Sequence, residues 1–396
     1  MKRILFVLIL LFVVATPFRS KAFELSDEAE ISVLTCGPSD LIHAIYGHTA
    51  VRVQDPQRLF DVVFNYGVFS FSQPNFVYRF AKGRTDYMLA PEKYTDFYSG
   101  YKRNGRSIEA QVLNLTQKEK QQMFDFLIWN SKPENREYRY NFFYDNCATR
   151  VRDLVVDQVE GNVVFHDEKG MEMTFREHAN EYQKVLPWTN FGIHLTLGSP
   201  ADKTASVYEE MFLPDYLMKH FAQARIVQDG VSRPLVKETR VIYDSEKENS
   251  AGFNLFSPVP VLSIVLLLVL WISYRQYKTK KVNYLLDYVL LFVTGLMGLV
   301  ALWLVTYSEH PAMHPNYNLW WAVPANLPFL FLWMVKKWRQ SLKWYWKALA
   351  VWLILFCLFS FFIPQAFHIG FYLLTLMMLC RALLHSFLFL KARRQV

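Results

Sequence analysis

Residues 254–396 carry five long apolar segments, at 255–273, 284–306, 319–335, 346–363 and 369–390. Each approaches or exceeds the length that crosses a bilayer, so this stretch reads as a membrane domain. Arg275, Lys278, Lys280 and Lys281 follow the first segment, Lys336, Lys337, Arg339, Lys343 and Lys347 the third, and Lys391, Arg393 and Arg394 the fifth. Loops 308–318 and 364–368 contain no Lys or Arg. The excess of basic residues on one set of loops predicts a cytoplasmic C-terminus and an exported region 23–253. An odd number of spans after an exported domain predicts the same orientation. Most of the net charge of +8 lies in those basic loops, which removes the case for nucleic-acid binding.

At the start of the chain, Lys2 and Arg3, the apolar run 4–15 and Ser20-Lys21-Ala22 read as a secretory signal. Three parts follow: a signal peptide at 1–22, an exported domain with a membrane-proximal linker at 23–253, and the membrane domain at 254–396. Region 23–253 is mixed in composition and long enough for one domain with a real core.

Within it, residues 31–35, 48–54, 60–66 and 108–115 read as strands, and the second and third form a hairpin around Asp55-Pro56-Gln57-Arg58. Thr116 and Glu119 form a capping box for a helix running to about Asn130. Residues 138–144 read as strand or extended chain. A second helix opens at Asp145-Asn146 and stops at Gly161-Asn162. Part of 202–217 reads as helix, and 225–253 as a strand and linker leading to the membrane.

Two residues suggest chemistry. Cys147 opens the second helix, where the positive end of the helix dipole is expected to lower its pKa. His48 starts a strand about a hundred residues earlier, and cysteine with histidine is sufficient for covalent acyl chemistry. If Val53 faces Phe60 across the hairpin, His48 faces Asn65, which can orient the imidazole; Asp61 is the other polar residue on that strand. The bland alternatives are a half-buried strand-start histidine and a buried helix-start thiol. Cys36 competes: export permits a Cys36–Cys147 disulfide, which would abolish a thiol mechanism.

Three other groups have open readings. Arg84, Arg103 and Arg106 cluster with Tyr87, Tyr94, Tyr98 and Tyr101, as a solvated face or as a surface for anionic headgroups. Loop 308–318 holds Glu309, His310 and His314, but Pro311 and Pro315 break helical ligand spacing. It reads as an interfacial loop anchored by Trp320 and Trp321, with headgroup positioning as the sharper alternative. Asp287 and Arg381 either pair within the membrane or leave Arg381 to snorkel.

The runs Tyr46-Gly47-His48-Thr49-Ala50-Val51-Arg52-Val53, Asn65-Tyr66-Gly67 and 141–153 (NFFYDNCATRVRD) resemble the exported domain of the Lnb-like family of bacterial lipoprotein N-acyltransferases. The likeness extends over essentially the whole chain, including the Glu309-His310-Pro311 loop with Asn316 and Asn318-Leu319-Trp320. The His-before-Cys order is also similar to permuted papain-like proteins of the NlpC/P60 and lecithin:retinol acyltransferase groups.

The resemblance implies an α+β chain: a permuted papain-like (NlpC/P60-like) exported domain followed by a five-helix transmembrane bundle in the bacterial inner membrane. It implies Cys147 as nucleophile and His48 as base, while Asn65 rests on the register argument alone. Tyr46, Arg52, Tyr144 and Arg150, which flank these residues, are the candidate substrate-binding side chains. The implied reaction moves an acyl chain from a phospholipid donor through a Cys147 thioester to the N-terminal amine of a diacylated lipoprotein, with no cofactor and no metal. Two rivals stand beside it: a cysteine peptidase or amidase acting on cell-wall peptide, and a non-enzymatic envelope scaffold or sensor.

Overall fold

The computed structural model describes residues 23–393 apart from 71, 73, 166–171, 246–251 and 253. The expected signal peptide, 1–22, lies outside the described residues. The exported half begins with strands β1 (Glu30–Cys36), β2 (His48–Asp55) and β3 (Phe60–Val68), helix α1 (Phe76–Lys82), β4 (Asp86–Lys93), α2 (Tyr94–Arg103) and β5 (Ile108–Leu113). It continues with α3 (Gln117–Asn130), β6 (Glu137–Arg139), α4 (Cys147–Gln158), β7 (Asn162–Val164), α5 (Phe175–Gln183), α6 (Pro187–Thr196), α7 (Val207–Glu210), α8 (Pro214–Gln223), β8 (Arg225–Gln228), β9 (Val231–Pro234) and β10 (Val236–Tyr243).

Seven strands form one antiparallel sheet in the order β10-β5-β1-β2-β3-β4-β6, and β7-β8-β9 form a small second sheet. Strand β1 lies near the middle and is buried along almost its whole length, as an apolar run covered on both faces should be. On one face Val33, Val51, Val53 and Phe64 pack against Leu127 of α3 and Val151, Leu154 and Val155 of α4. On the other, Leu34, Cys36, Ala50 and Val63 pack against Phe97 of α2. The capping box at Thr116 and Glu119 forms as its spacing predicts. The aromatic run 138–144 is mostly not strand. After β6 it folds into a turn bridged between Asn141 and Asp145, because the Asn141 Oδ1 accepts the backbone N–H groups of Phe143 (3.1 Å) and Tyr144 (3.2 Å) and competes with ladder pairing.

The membrane half contains α9 (Pro258–Thr279), α10 (Leu285–Tyr307), α11 (Asn326–Met334), α12 (Lys343–Phe359) and α13 (Ile369–Arg393). Four of the five expected spans are helices long and apolar enough to cross a membrane. The third segment is not: its helix α11 has only 9 residues. Its first half is held out of α-helix by the turn Tyr317–Trp320, which the Asn316 side chain caps, and by Pro324. The buried side chain of Asn326, at the start of α11, is satisfied by Thr294 Oγ1 (2.9 Å) and Tyr345 OH (2.7 Å), as a buried polar group requires. Even so, this segment stacks Trp321 on Phe371 at one end and sets Trp333 against His385 at the other, a run of roughly 21 Å along α13 at 1.5 Å per residue.

The loop before it joins the two halves. Helix ends leave carbonyls without intrahelical partners. Asn316 and Asn318 donate to the Leu195 and His194 carbonyls at the end of α6, each at 2.9 Å. Glu309 N–H and His310 Nε2 donate to the Lys82 and Phe80 carbonyls at the end of α1 (2.9 and 2.8 Å). The Glu309 carboxylate accepts from Arg84 (2.6 Å) and Arg139 (3.4 Å). The loop is therefore an inter-domain clamp. Trp321 is buried core rather than an interfacial anchor, and Arg84 is engaged by protein.

Asp287 and Arg381 pair at 2.6 Å, fully buried, and His385, Ser273 and Gln276 complete the network; Arg381 does not snorkel. Removing one partner of a buried pair strands the other charge. Asp287→Ala is expected to cost about 3–5 kcal/mol of stability, read as a fall in the thermal unfolding midpoint of the detergent-purified chain.

Candidate active site

Cys147 is the first residue of α4, and its position is set by Asn146. The Asn146 Oδ1 accepts the N–H groups of Ala148 (2.8 Å) and Thr149 (3.0 Å), while the Thr149 hydroxyl accepts the Asn146 N–H at 2.8 Å. The Asn146 amide in turn donates to the Phe142 (2.7 Å) and Phe212 (2.9 Å) carbonyls. Cap, aromatic turn and a distant loop are thus tied to one buried side chain.

The helix tip enters a split in the sheet. Pairing of β2 with β3 stops at Val51–Phe64, and β3 shifts register against β4 between Asn65 and Val68. Gly67 lies in that shift with φ of +88°, and a Cβ built there would sit 3.6 Å from the Cys147 Cβ. The conformation suits glycine alone. The backbone N–H groups of Thr49, Ala148 and Cys147 lie near the sulfur and favour its thiolate form, so the thiol lies near the residue next to His48. Gly47 tightens the same corner: with φ of +79°, its missing Cβ would lie 2.7 Å from the Cys36 carbonyl oxygen.

His48 Nε2 lies 3.2 Å from Asn65 Oδ1, and Asn65 Nδ2 donates to Glu92 Oε1 at 2.7 Å. Because Asn65 directs its amide hydrogen to Glu92, its oxygen accepts from the imidazole Nε2–H, leaving Nδ1 free to take a proton. The expected register was wrong by two residues: Val53 faces Val62, and the hairpin closes at Asp55–Phe60. Asp55 causes this by accepting the Arg58 N–H through both its backbone and its side chain at 3.2 Å, which tightens the turn. A shift of two keeps every side chain on its face, so Asn65 still reaches His48, diagonally rather than directly. Asp61 is occupied by Arg52.

The electrostatics also differ from expectation. The Cys147 pKa is raised, because burial outweighs the three N–H groups and the Arg106 charge. Burial likewise pushes His48 down to about 4, and Asn65 only partly offsets this. The resting pair is neutral thiol and neutral imidazole. Cys36 is fully buried and pushed up to about 12 by desolvation, which nearby Arg106 and Tyr101 only partly offset. Both cysteines are free thiols, so the cross-link considered from the sequence is not formed.

The four flanking residues divide. Arg52 grips Asp61 through two 2.7 Å bonds and lies 3.4 Å over the Tyr94 ring. These contacts make it a brace between β2 and β3. Arg150 chelates Asp145 and lies 4.1 Å over the Tyr138 ring, bracing the helix start. Tyr46 accepts from Gln183 at 2.7 Å and packs 4.5 Å from Phe142. Tyr144 is 41% exposed and remains accessible. Two residues were missed. The Tyr138 hydroxyl is buried without a hydrogen-bond partner and would lie 3.9 Å from a Cβ on Gly67. Arg106 acts electrostatically on Cys36, His48 and Cys147 alike and donates to the Gly37 carbonyl at 2.8 Å. Tyr138 carries no local sequence signal, and Arg106 stood out in the sequence only as part of the basic, aromatic cluster with Tyr101. Among the described residues, no group of three or more His, Cys, Asp or Glu is arranged to hold a metal ion.

If His48 takes the thiol proton, its neutral form is the active one. Acylation of Cys147 by an activated ester is then expected to be flat through neutral pH and to fall as pH drops through about 4. His48→Ala is expected to lower the plateau by about 10²–10⁴-fold. Rapid-quench mass analysis across pH checks both. A loss centred near the ordinary histidine range would contradict the buried neutral imidazole.

Residues 21–181 match the family model described as Lnb N-terminal periplasmic domain, and residues 247–393 match the one described as Lnb transmembrane domain. No curated protein and no solved structure matches the chain. The two matches fall on the two halves that the loop 308–318 clamps together, and the chain is thus a membrane-associated envelope protein of the Lnb type, with a periplasmic N-terminal domain and a transmembrane domain.

Proposed function

We propose that the protein is a thiol acyltransferase of the inner membrane that moves an acyl chain from phospholipid to the N-terminal amine of lipoproteins. One observation carries the reading most: a free thiol at a helix start near the Thr49 backbone, the residue after a histidine that Asn65 orients, in a domain clamped onto a membrane bundle. The lineage this favours for the exported domain is the permuted papain-like one.

His48 Nδ1 removes the Cys147 proton as sulfur attacks the ester carbonyl. The tetrahedral intermediate collapses, the lysophospholipid alkoxide leaves with that proton, and an acyl-thioester remains. The lipoprotein α-amino group then attacks the thioester and gives its proton to His48. The amide forms, and the thiolate leaves and is reprotonated. A thioester is higher in energy than an amide, so transfer runs downhill without a cofactor. The unpartnered Tyr138 hydroxyl supplies a hydrogen bond to the carbonyl oxygen. The N–H of Ala148 is already used by Asn146.

The orientation proposed is periplasmic for the exported domain and cytoplasmic for the C-terminus. Loop 308–318 and His368 both approach α6, His368 through Phe191 at 5.2 Å, so α13 starts on the domain's side and runs away from it. The basic loops lie at the far ends.

In cells whose only such enzyme carries Cys147→Ala, lipoprotein N-termini are expected to lose the amide-linked chain, by intact-mass analysis. Unchanged N-acylation would refute the proposal. A hydrolytic role would instead release free fatty acid or cleaved peptide without acylated amine.

A further inference from the structure

Helix α1 buries none of its residues, yet its composition is apolar. Val77 is 79% exposed, Tyr78 54% and Phe80 42%. Such a face is unfavourable in water, and its surroundings identify what covers it. The Tyr78 ring lies 5.8 Å from Trp303, which lies 6.2 Å from Tyr307, near the end of α10. Loop residues Glu309 and His310 bind the C-terminal carbonyls of α1. The helix is therefore fixed where the bundle emerges, at the level where Trp and Tyr gather in membrane proteins. Of its basic residues, Arg79 is engaged by Asp86 at 2.8 Å, while Lys82 reaches over the Tyr78 ring at 5.8 Å. An apolar face with a lysine at its border suits the headgroup–acyl boundary.

A row of aromatic rings runs inward from α1. Phe76 stacks on Phe69 at 5.5 Å, Phe69 meets Tyr87 at 4.8 Å, and Tyr87 stacks on Tyr140 at 4.1 Å. Phe69, Tyr140 and Cys147 pack against one core. His43, whose ring lies 6.3 Å from Phe69, brings exposed Ile42 to the same row.

We propose that α1 inserts its Val77, Tyr78 and Phe80 face into the outer leaflet, and that the aromatic row guides a phospholipid acyl chain from there to Cys147. The occupant is the bilayer, because the face is continuous with the end of a membrane-length helix. Insertion stands independently; the guiding role rests on the acyl-transfer reading.

The test uses the full chain in phosphatidylethanolamine–phosphatidylglycerol vesicles, with a benzophenone amino acid at single positions. Val77 is compared with Phe331, 60% exposed on the membrane bundle, and Leu59, 95% exposed at the tip of the β2–β3 hairpin. Lipid adducts are expected at 77 and 331 but not at 59, and equally in a Cys147→Ala background. Adducts at 331 without adducts at 77 would overturn the insertion. In a second arm, Val77→Asp is expected to slow thioester formation from vesicle phospholipid by about tenfold or more, while iodoacetamide alkylates Cys147 at an unchanged rate. An unchanged thioester rate would overturn the guiding role. If the unsubstituted chain forms no thioester while adducts at 77 persist, the acyl-transfer reading and the guiding role both fall, and the insertion stands.

Discussion

The buried side chain of Asn146 holds the candidate site together. It caps two N–H groups of α4 and donates to two carbonyls, one in the aromatic turn and one sixty-six residues away at Phe212. All four groups would otherwise be poorly solvated, and a buried polar group without a partner costs about 1–3 kcal/mol. An aspartate in this place could accept from the helix but could not donate to the carbonyls. The position of the Cys147 sulfur in the split between β2 and β3 follows from this arrangement.

Burial has a chemical consequence. Cys147 and His48 both lose solvation, so both stay neutral at rest. On the acyl-transfer reading proposed above, charge then appears only when a proton moves between them. Cys36, across the sheet pair from His48, is held protonated by the same burial carried further. Around them Arg106 contributes a fixed positive charge to all three groups. The clamp formed by Glu309, His310, Asn316 and Asn318 holds this site to the membrane bundle by donating, from one backbone N–H and three side chains, to carbonyls at the ends of α1 and α6.

Much of this was legible in the chain. The helix start at Cys147, the capping box at Thr116, the strand at His48 and the apolar C-terminal half all arise from local signals of spacing and polarity. The pairing of Asp287 with Arg381 was legible as one of two alternatives, because an isolated charge at that depth is costly. Other features were not. The hairpin register depended on how Asp55 closes the turn, yet the face of Asn65 survived because strands alternate with a period of two. Arg52 and Arg150 looked like substrate contacts by proximity in sequence, but each found a carboxylate and an aromatic ring. Trp321 looked like an interfacial anchor and became core, because α13 presents Phe371 beside it.

By itself, the sequence determined a membrane-bound chain with an exported α+β domain, a capped helix opening on Cys147 and a strand starting at His48. These follow from patterns only a few residues wide, where hydrogen-bond supply and hydrophobic periodicity leave little choice. The tertiary structure alone decided that burial would raise both thiols, Cys36 further than Cys147, that Tyr138 and Arg106 would lie near Cys147, and that the third apolar segment would run along α13 on a short helix. Each of those depends on which distant groups take solvent away or supply a partner, and no local pattern encodes that.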